Sequence, residues 1–204
     1  MDDIVKAVEV FNKKGCKAIC VDNAAPALKH VLNVISADDT VGMGGSVTLD
    51  QIGIVKALLE RGNTIYSSAV ARKLGNDPDE ARLLAMGADV FLSSSNAVTL
   101  EGDLINIDAI GNRVAGMFYG PKKVVIVAGR NKITTNPHTA VLRIKKFASP
   151  QNTKRLGLDT PCAKTGKCTD CDSPQRICNV VTRIQYPPWG KEIHVVLIDE
   201  DYGF

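Results

Sequence analysis

The stretch PCAKTGKCTDCDSPQRICN sets Cys162, Cys168, Cys171 and Cys178 at Cys-x5-Cys-x2-Cys-x6-Cys spacing, four soft ligands within 17 residues. Thiolates bind zinc or iron tetrahedrally, and a Cys-x2-Cys pair lets two sulfurs of one tight turn reach the same centre. Pro161, Gly166 and Pro174 permit the turns that such a clasp requires. Metal binding free energy would also become folding free energy, which a segment without a hydrophobic core needs. Between Gln151 and Arg183 stand Lys154, Arg155, Lys164, Lys167, Arg176 and Arg183 against three aspartates, a surplus that offsets four thiolates. Zinc ribbons pair two Cys-x2-Cys knuckles, and ferredoxin runs carry three cysteines at x2 intervals. The spacing here matches neither, so zinc and a [4Fe-4S] cluster both stay open, the compact single segment leaning toward iron-sulfur. Reduced cysteines without metal, or a transient disulfide, are the plain alternative. Cys16 and Cys20 flank an apolar run and read as small core hydrophobes.

A second constellation is VGMGGSVTL, where Gly42, Gly44 and Gly45 follow a strand and Ser46 and Thr48 open a helix. Glycines let backbone N–H groups approach a ligand, and a helix N-terminus adds its dipole, which suits a carboxylate or phosphate. The order is neither GxGxxG nor a Walker loop, so NAD and ATP are not supported, and a tight turn capped by Ser46 is the plain alternative. A third stretch, SSSNAVTLEGDLINID, puts Asn96 just beyond a strand and Glu101 at a turn, where a carboxylate serves as base or nucleophile or is simply solvated. GRNKIT brings Arg130, Asn131 and Lys132 to the same edge, or leaves them in a solvated loop. His30, His138 and His194 have no ligand spacing, and a Gly-x-Ser-x-Gly elbow is absent.

The elements that must position these groups alternate between helix and strand. Helices are expected over the opening residues with Val5, Val8, Val10 and Phe11, and over 25–35, 48–61, 78–86 and 138–147. Strands are expected at 17–21, 40–43, 63–66, 89–92 and 194–198, with a hairpin over 98–108 turned by Glu101, Gly102 and Asp103. KVVIVA at 123–128 is the strongest strand signal, a β-branched run buried on both faces, and it implies a mostly parallel sheet. The result is a three-layer α/β fold with helices on both faces. Near Pro150 the chain turns polar, and 151–183 reads as an irregular metal-binding segment within a single domain spanning 1–204.

Composition narrows the function. A chain of 204 residues with 45% hydrophobic content builds one core of moderate size. Net charge is +3 and aromatics make up 5%, which argues against a nucleic-acid partner. The sequence has neither an apolar run of membrane-spanning length nor an export-like start, so a cytoplasmic protein without a membrane partner is expected. In that reducing compartment clustered thiols are ligands or redox groups before they are disulfides.

VGMGGSVTL, FLSSSNAVTLEGDLINIDAIGNRV, GPKKVVIVAGRNKI and the four-cysteine segment, in that order, resemble the lactate utilization (LUD) domain family over about residues 20 to 200. The resemblance implies the fold group of glucosamine-phosphate deaminases, ribose-phosphate isomerases and CoA transferases, in which a glycine-rich loop holds phosphate or acyl groups. Gly42, Gly44, Gly45 and Ser46 would be that loop, with Asn96 and Glu101 facing the same cleft. It also implies a role beside iron-sulfur partner proteins in lactate or related 2-hydroxy-acid oxidation, and oligomerisation is common in the fold group. The cysteine segment departs from many members. Two other readings stand beside an accessory role in lactate oxidation. One is a transferase or isomerase acting on a CoA thioester or sugar phosphate with Glu101 as nucleophile or base. The other is a non-catalytic metal-stabilised binding module.

Overall fold

The computed structural model describes residues 2–204. In chain order the elements are α1 (Asp3–Lys13), β1 (Lys17–Val21), α2 (Ala24–Val34), β2 (Val41–Met43), α3 (Val47–Gln51), α4 (Ile54–Arg61), β3 (Ile65–Tyr66), α5 (Ser68–Leu74), α6 (Pro78–Leu84) and β4 (Val90–Ser93). They continue with β5 (Ala97–Thr99), β6 (Leu104–Asp108), α7 (Asn112–Phe118), β7 (Lys123–Gly129), β8 (Ile133–Thr134), α8 (Pro137–Arg143), α9 (Ser149–Arg155), α10 (Pro161–Thr165), β9 (Val180–Ile184) and β10 (Glu192–Ile198).

A six-stranded sheet of order β1-β10-β7-β4-β2-β3 is parallel throughout. Its middle is KVVIVA, and the two-residue period of a strand divides that run between two cores. Val125 and Val127 pack on one face with Ala27 and Val31 of α2 and Leu58 of α4. Val124, Ile126 and Ala128 pack on the other with Ile4, Ala7 and Phe11 of α1 and Val114 and Met117 of α7. Helices therefore cover both faces, as the fold class requires.

The expected hairpin is present as β5 and β6, but it belongs to a second sheet of order β8-β5-β6-β9. That sheet packs over the α1 and α7 side through Val98 and Leu104, and Ala140 of α8 with Ile144 just beyond it covers its far side. Strand periodicity alone does not say which sheet a short strand joins.

Several expectations need correction. The helix over 48–61 is two helices, because Gly53 adopts φ 74° and ends the first of them. The run 17–21 is an edge strand paired only with β10, half open along its length, and Cys20 is exposed instead of packed in the core. The strand expected at 194–198 is present as β10 and lies in the sheet interior, between β1 and β7.

The helix through 138–147 does not stop at Pro150. Residues Ile144–Ala148 widen into a π-helical turn and α9 follows directly. Proline lacks the N–H that an α-helical turn would use, and a local π turn re-spaces the ladder around that gap. The segment from 151 is thus anchored by a helix at its start and by β9 at its end, with α10 between them.

Gly116 shows how closely α7 packs. A β-carbon there would fall inside the van der Waals radius of the buried Phe91 ring. Helix propensity alone would favour alanine by about 1 kcal/mol, whereas overpacking a closed core costs about 1–3 kcal/mol. Gly116→Ala is expected to lower the urea midpoint. An unchanged or raised midpoint would show that the Phe91 ring can step aside.

Candidate functional site

Because the strands are parallel, β2, β4 and β7 end on one edge of the sheet, and their following residues meet there. Gly45, Ser46 and Thr48 follow β2, Ser94, Ser95 and Asn96 follow β4, and Lys132 follows β7. Together they line a cleft of about 630 Å³. The other walls come from α5 and α6 (Arg72, Arg82), α7 (Arg113), α9 (Asn152, Arg155) and the cysteine segment (Gln175, Arg176, Ile177). Its charged lining comprises five arginines and Lys132 against Asp108. The lining is therefore predominantly cationic.

Lys132 is the most constrained of these groups. It is 4% exposed, and its ammonium donates to the Thr48 hydroxyl at 2.8 Å and the Ser94 hydroxyl at 3.0 Å. Neither partner carries charge. Burial, with Arg143 and Arg113 nearby, lowers its pKa from 10.5 to about 7.

Arg113 is fixed by neutral acceptors. One terminal nitrogen donates to Ser94 O at 3.2 Å and Asn106 Oδ1 at 2.8 Å, and the other to Asn96 Oδ1 at 2.9 Å and Ile107 O at 3.0 Å. Asp108 lies 3.6 Å from its Nε. Arg143 similarly donates to the carbonyls of Asn131 and Asn96, each at 2.8 Å. Among the described residues, Asp108 lies at Arg113 and, at longer range, Asp201 acts on Arg143.

The residues expected from the sequence divide accordingly. Gly45, Ser46, Thr48, Asn96 and Lys132 line the cleft. Ser46 caps α3, its hydroxyl accepting from Leu49 N at 3.3 Å. Gly42 is buried where a β-carbon would collide with the Ala85 carbonyl, and Gly44 makes room for the Arg113 side chain, 2.7 Å from where its β-carbon would stand. Both glycines serve packing. Asn96 is a junction: besides Arg113, its Oδ1 accepts from Ile107 N at 3.1 Å, and its own N–H donates to Asn106 Oδ1 at 2.9 Å.

Three residues lie elsewhere. Arg130 is exposed and pairs with Asp199 and Asp201, and Asn131 holds the tail through Tyr202 N and Gly203 O. Glu101 does not share the cleft. It is exposed at the β5–β6 turn, with its carboxylate 3.7 Å from Arg183, and the adjoining Gly102 packs on Val10 of α1. The turn points away from the strand ends because β5 and β6 run in the second sheet.

The cysteine segment borders the same cleft. Cys162 begins α10 with its sulfur 3.4 Å from both the Thr153 and Thr160 hydroxyls. Asp170 adopts φ 52°, and its N–H points to Cys168 Sγ at 3.4 Å, so the Cys-x2-Cys turn is a knuckle with a sulfur-directed amide. Cys178 donates to Ser149 Oγ at 3.4 Å beside the π turn. Its thiol is pushed up first by burial, then by Cys168 and Cys162, which share its neighbourhood. Arg176 crosses the loop, donating to Cys171 O at 2.7 Å and Cys178 O at 3.0 Å, while its buried Nε has no partner. Among the described residues, no three His, Cys, Asp or Glu side chains already form a cation cage.

Arg113 was not singled out from the sequence, although it lies in the stretch FLSSSNAVTLEGDLINIDAIGNRV, whereas Ser94 falls in the polar run Ser93 to Asn96 expected at that edge. An arginine in the first turn of a buried helix is the signal that marks Arg113.

The LUD domain family profile matches residues 4–198. No curated protein matches the chain at a significant level. Among solved structures, a DUF162 family protein from Deinococcus radiodurans is similar over 97% of this chain and 99% of its own, with a TM-score of 0.54 and 11% identity, a likeness of fold alone. No helix among the described residues is long and apolar enough to cross a membrane.

The Lys132 environment predicts a pH dependence. Folded Lys132 loses its proton near pH 7, whereas the unfolded chain holds one until about 10.5. The unfolded state therefore binds the extra proton across that window, and stability rises with pH there, by at most about 1.4 kcal/mol per unit. Denaturation of wild type and Lys132→Met at pH 7 and pH 9 should show the difference moving in favour of wild type. A constant difference would mean that Lys132 titrates normally.

Proposed function

The chain belongs to the LUD domain family, and on that premise we propose that it is an accessory component of lactate or related 2-hydroxy-acid oxidation. In this reading the strand-end cleft binds the acid and Cys162, Cys168, Cys171 and Cys178 hold a metal. One observation carries it: buried Lys132 and Arg113, the arginine bound mainly to carbonyl and amide oxygens, lie at the floor of a cleft of about 630 Å³, with Arg143 close behind Lys132. A bound carboxylate supplies the missing negative charge, and the Thr48 and Ser94 hydroxyls suit the oxygen next to it.

Support for the metal comes from the donor set. Four thiols lie on one short segment, one pair on a knuckle with a sulfur-directed amide, and Lys145 and Arg176 lie close enough to temper their charge. A [4Fe-4S] cluster would supply electron relay to iron-sulfur partner proteins, and zinc would supply a structural clasp. Arg176 makes the connection to the cleft, since it lines one wall while bonded to two cysteine carbonyls.

A second reading has its own observation. Arg72, Arg82, Arg155 and Arg176 line a space far larger than a three-carbon acid fills, and such a wall suits the phosphate of a CoA thioester or sugar phosphate. With Glu101 outside the cleft, that transferase or isomerase reading loses its expected nucleophile.

Metal analysis and an absorption spectrum of protein purified without oxygen test the first half of the proposal. About four irons per chain with broad visible absorption are expected, whereas one colourless zinc would remove the redox role and leave a clasp. Thermal shifts with lactate, pyruvate, CoA and ribose phosphate test the second half. Protection by the 2-hydroxy or 2-oxo acid is expected, and protection by the phosphate compounds alone would favour the transferase reading. Glu101→Gln should leave every shift unchanged, and a lost shift would return Glu101 to the site.

A further inference from the structure

Deepening the preceding reading and resting on it, we propose that Lys132 is a nucleophile that captures a 2-oxo acid in the cleft as a Schiff base. The argument begins with what holds the side chain. A buried structural lysine is ordinarily paired with a carboxylate, because burying an unpaired charge is costly. Lys132 instead has two hydroxyl partners and two arginines for neighbours. Those arginines are themselves tied mainly to carbonyl and amide oxygens, so their charge persists beside it. Desolvation and adjacent cations are the two devices that keep a lysine amine unprotonated and nucleophilic at neutral pH.

The same surroundings select the electrophile. The cationic lining attracts a carboxylate, and the amine next to it attacks a carbonyl, a pairing of groups found on one small molecule in a 2-oxo acid. This is also the oxidation product of a 2-hydroxy acid. The amine nitrogen bonds to the carbonyl carbon as the carbonyl π bond opens, and one nitrogen proton passes to the former carbonyl oxygen, giving a carbinolamine. The Thr48 and Ser94 hydroxyls, within 2.8 and 3.0 Å of the nitrogen, are placed to relay that proton and the next. Loss of hydroxide with a second proton, as water, leaves the imine. No oxidant or reductant is consumed, and the reaction reverses by hydrolysis.

The test is borohydride trapping of the full chain incubated with pyruvate, read by intact mass and by peptide mapping. A single adduct is expected whose mass gain equals pyruvic acid less one oxygen atom, located on the peptide containing Lys132, absent from Lys132→Arg and suppressed by excess lactate. Mapping on the wild type does not depend on the variant folding. Label spread over exposed lysines without enrichment at Lys132 overturns the inference. Thermal protection by pyruvate without any adduct also overturns it and leaves the 2-hydroxy-acid reading standing. Absence of both adduct and protection by either acid removes the two together.

Discussion

One guanidinium joins the two sheets. Arg113, entering from α7, donates to the carbonyls of Ser94 and Ile107 and to the side chains of Asn96 and Asn106, so the end of β4, the start of β5 and the body of β6 are held to a common centre. Hydrogen bonds from a charged donor are about twice as strong as neutral ones, and four from one planar group also fix orientation. Asn96 and Asn106 then bond each other's strands, and Gly44 leaves the space in which the arginine lies. The shape of the cleft follows from this junction, because its floor is what remains between the large sheet's edge and the small sheet's side.

The junction also sets the cleft's chemistry. Arg113 and Arg143 spend their donors on oxygens that are mostly uncharged, so the fold is secured while positive potential is left over, and Lys132 sits within it. The same arginines that make this floor electropositive add to burial in lowering the Lys132 pKa. The cysteine segment adds a wall whose arginine is held by the carbonyls of Cys171 and Cys178, so that the conformation of the thiol loop and the placement of one cationic wall are a single variable.

Local pattern was enough to read the large sheet and most of its helices, because KVVIVA, the amphipathic runs and the glycine stops each report on one element. Gly45, Ser46, Thr48, Asn96 and Lys132 were legible for a related reason: in a parallel sheet the residue after a strand reaches the ligand edge whatever the order of strands. Glu101 misled because a hairpin turn has two ends, and only the three-dimensional course of β5 and β6 decides which faces the cleft. Gly42 and Gly44 looked like ligand glycines, yet their small size serves Ala85 and Arg113, neighbours distant in sequence. The helix through Pro150 was illegible because a proline normally ends a helix, and the π turn that admits it has no sequence signature of its own. Arg113 was hidden for the plainest reason: its four acceptors come from three other segments.

The place of β10 in the large sheet has a consequence for how the chain is made. β1 pairs with nothing except β10, and β7 needs β10 on one side, yet more than 150 residues separate β1 from that partner. During synthesis β1 and one edge of β7 must therefore wait, apolar and unpaired, until Glu192–Ile198 has left the ribosome. Loop closure over such a span makes the late insertion slow, and strands with open edges are the usual seeds of association between chains. A chain cut short before Glu192 would carry both edges permanently, so premature termination would give aggregates instead of a smaller folded core.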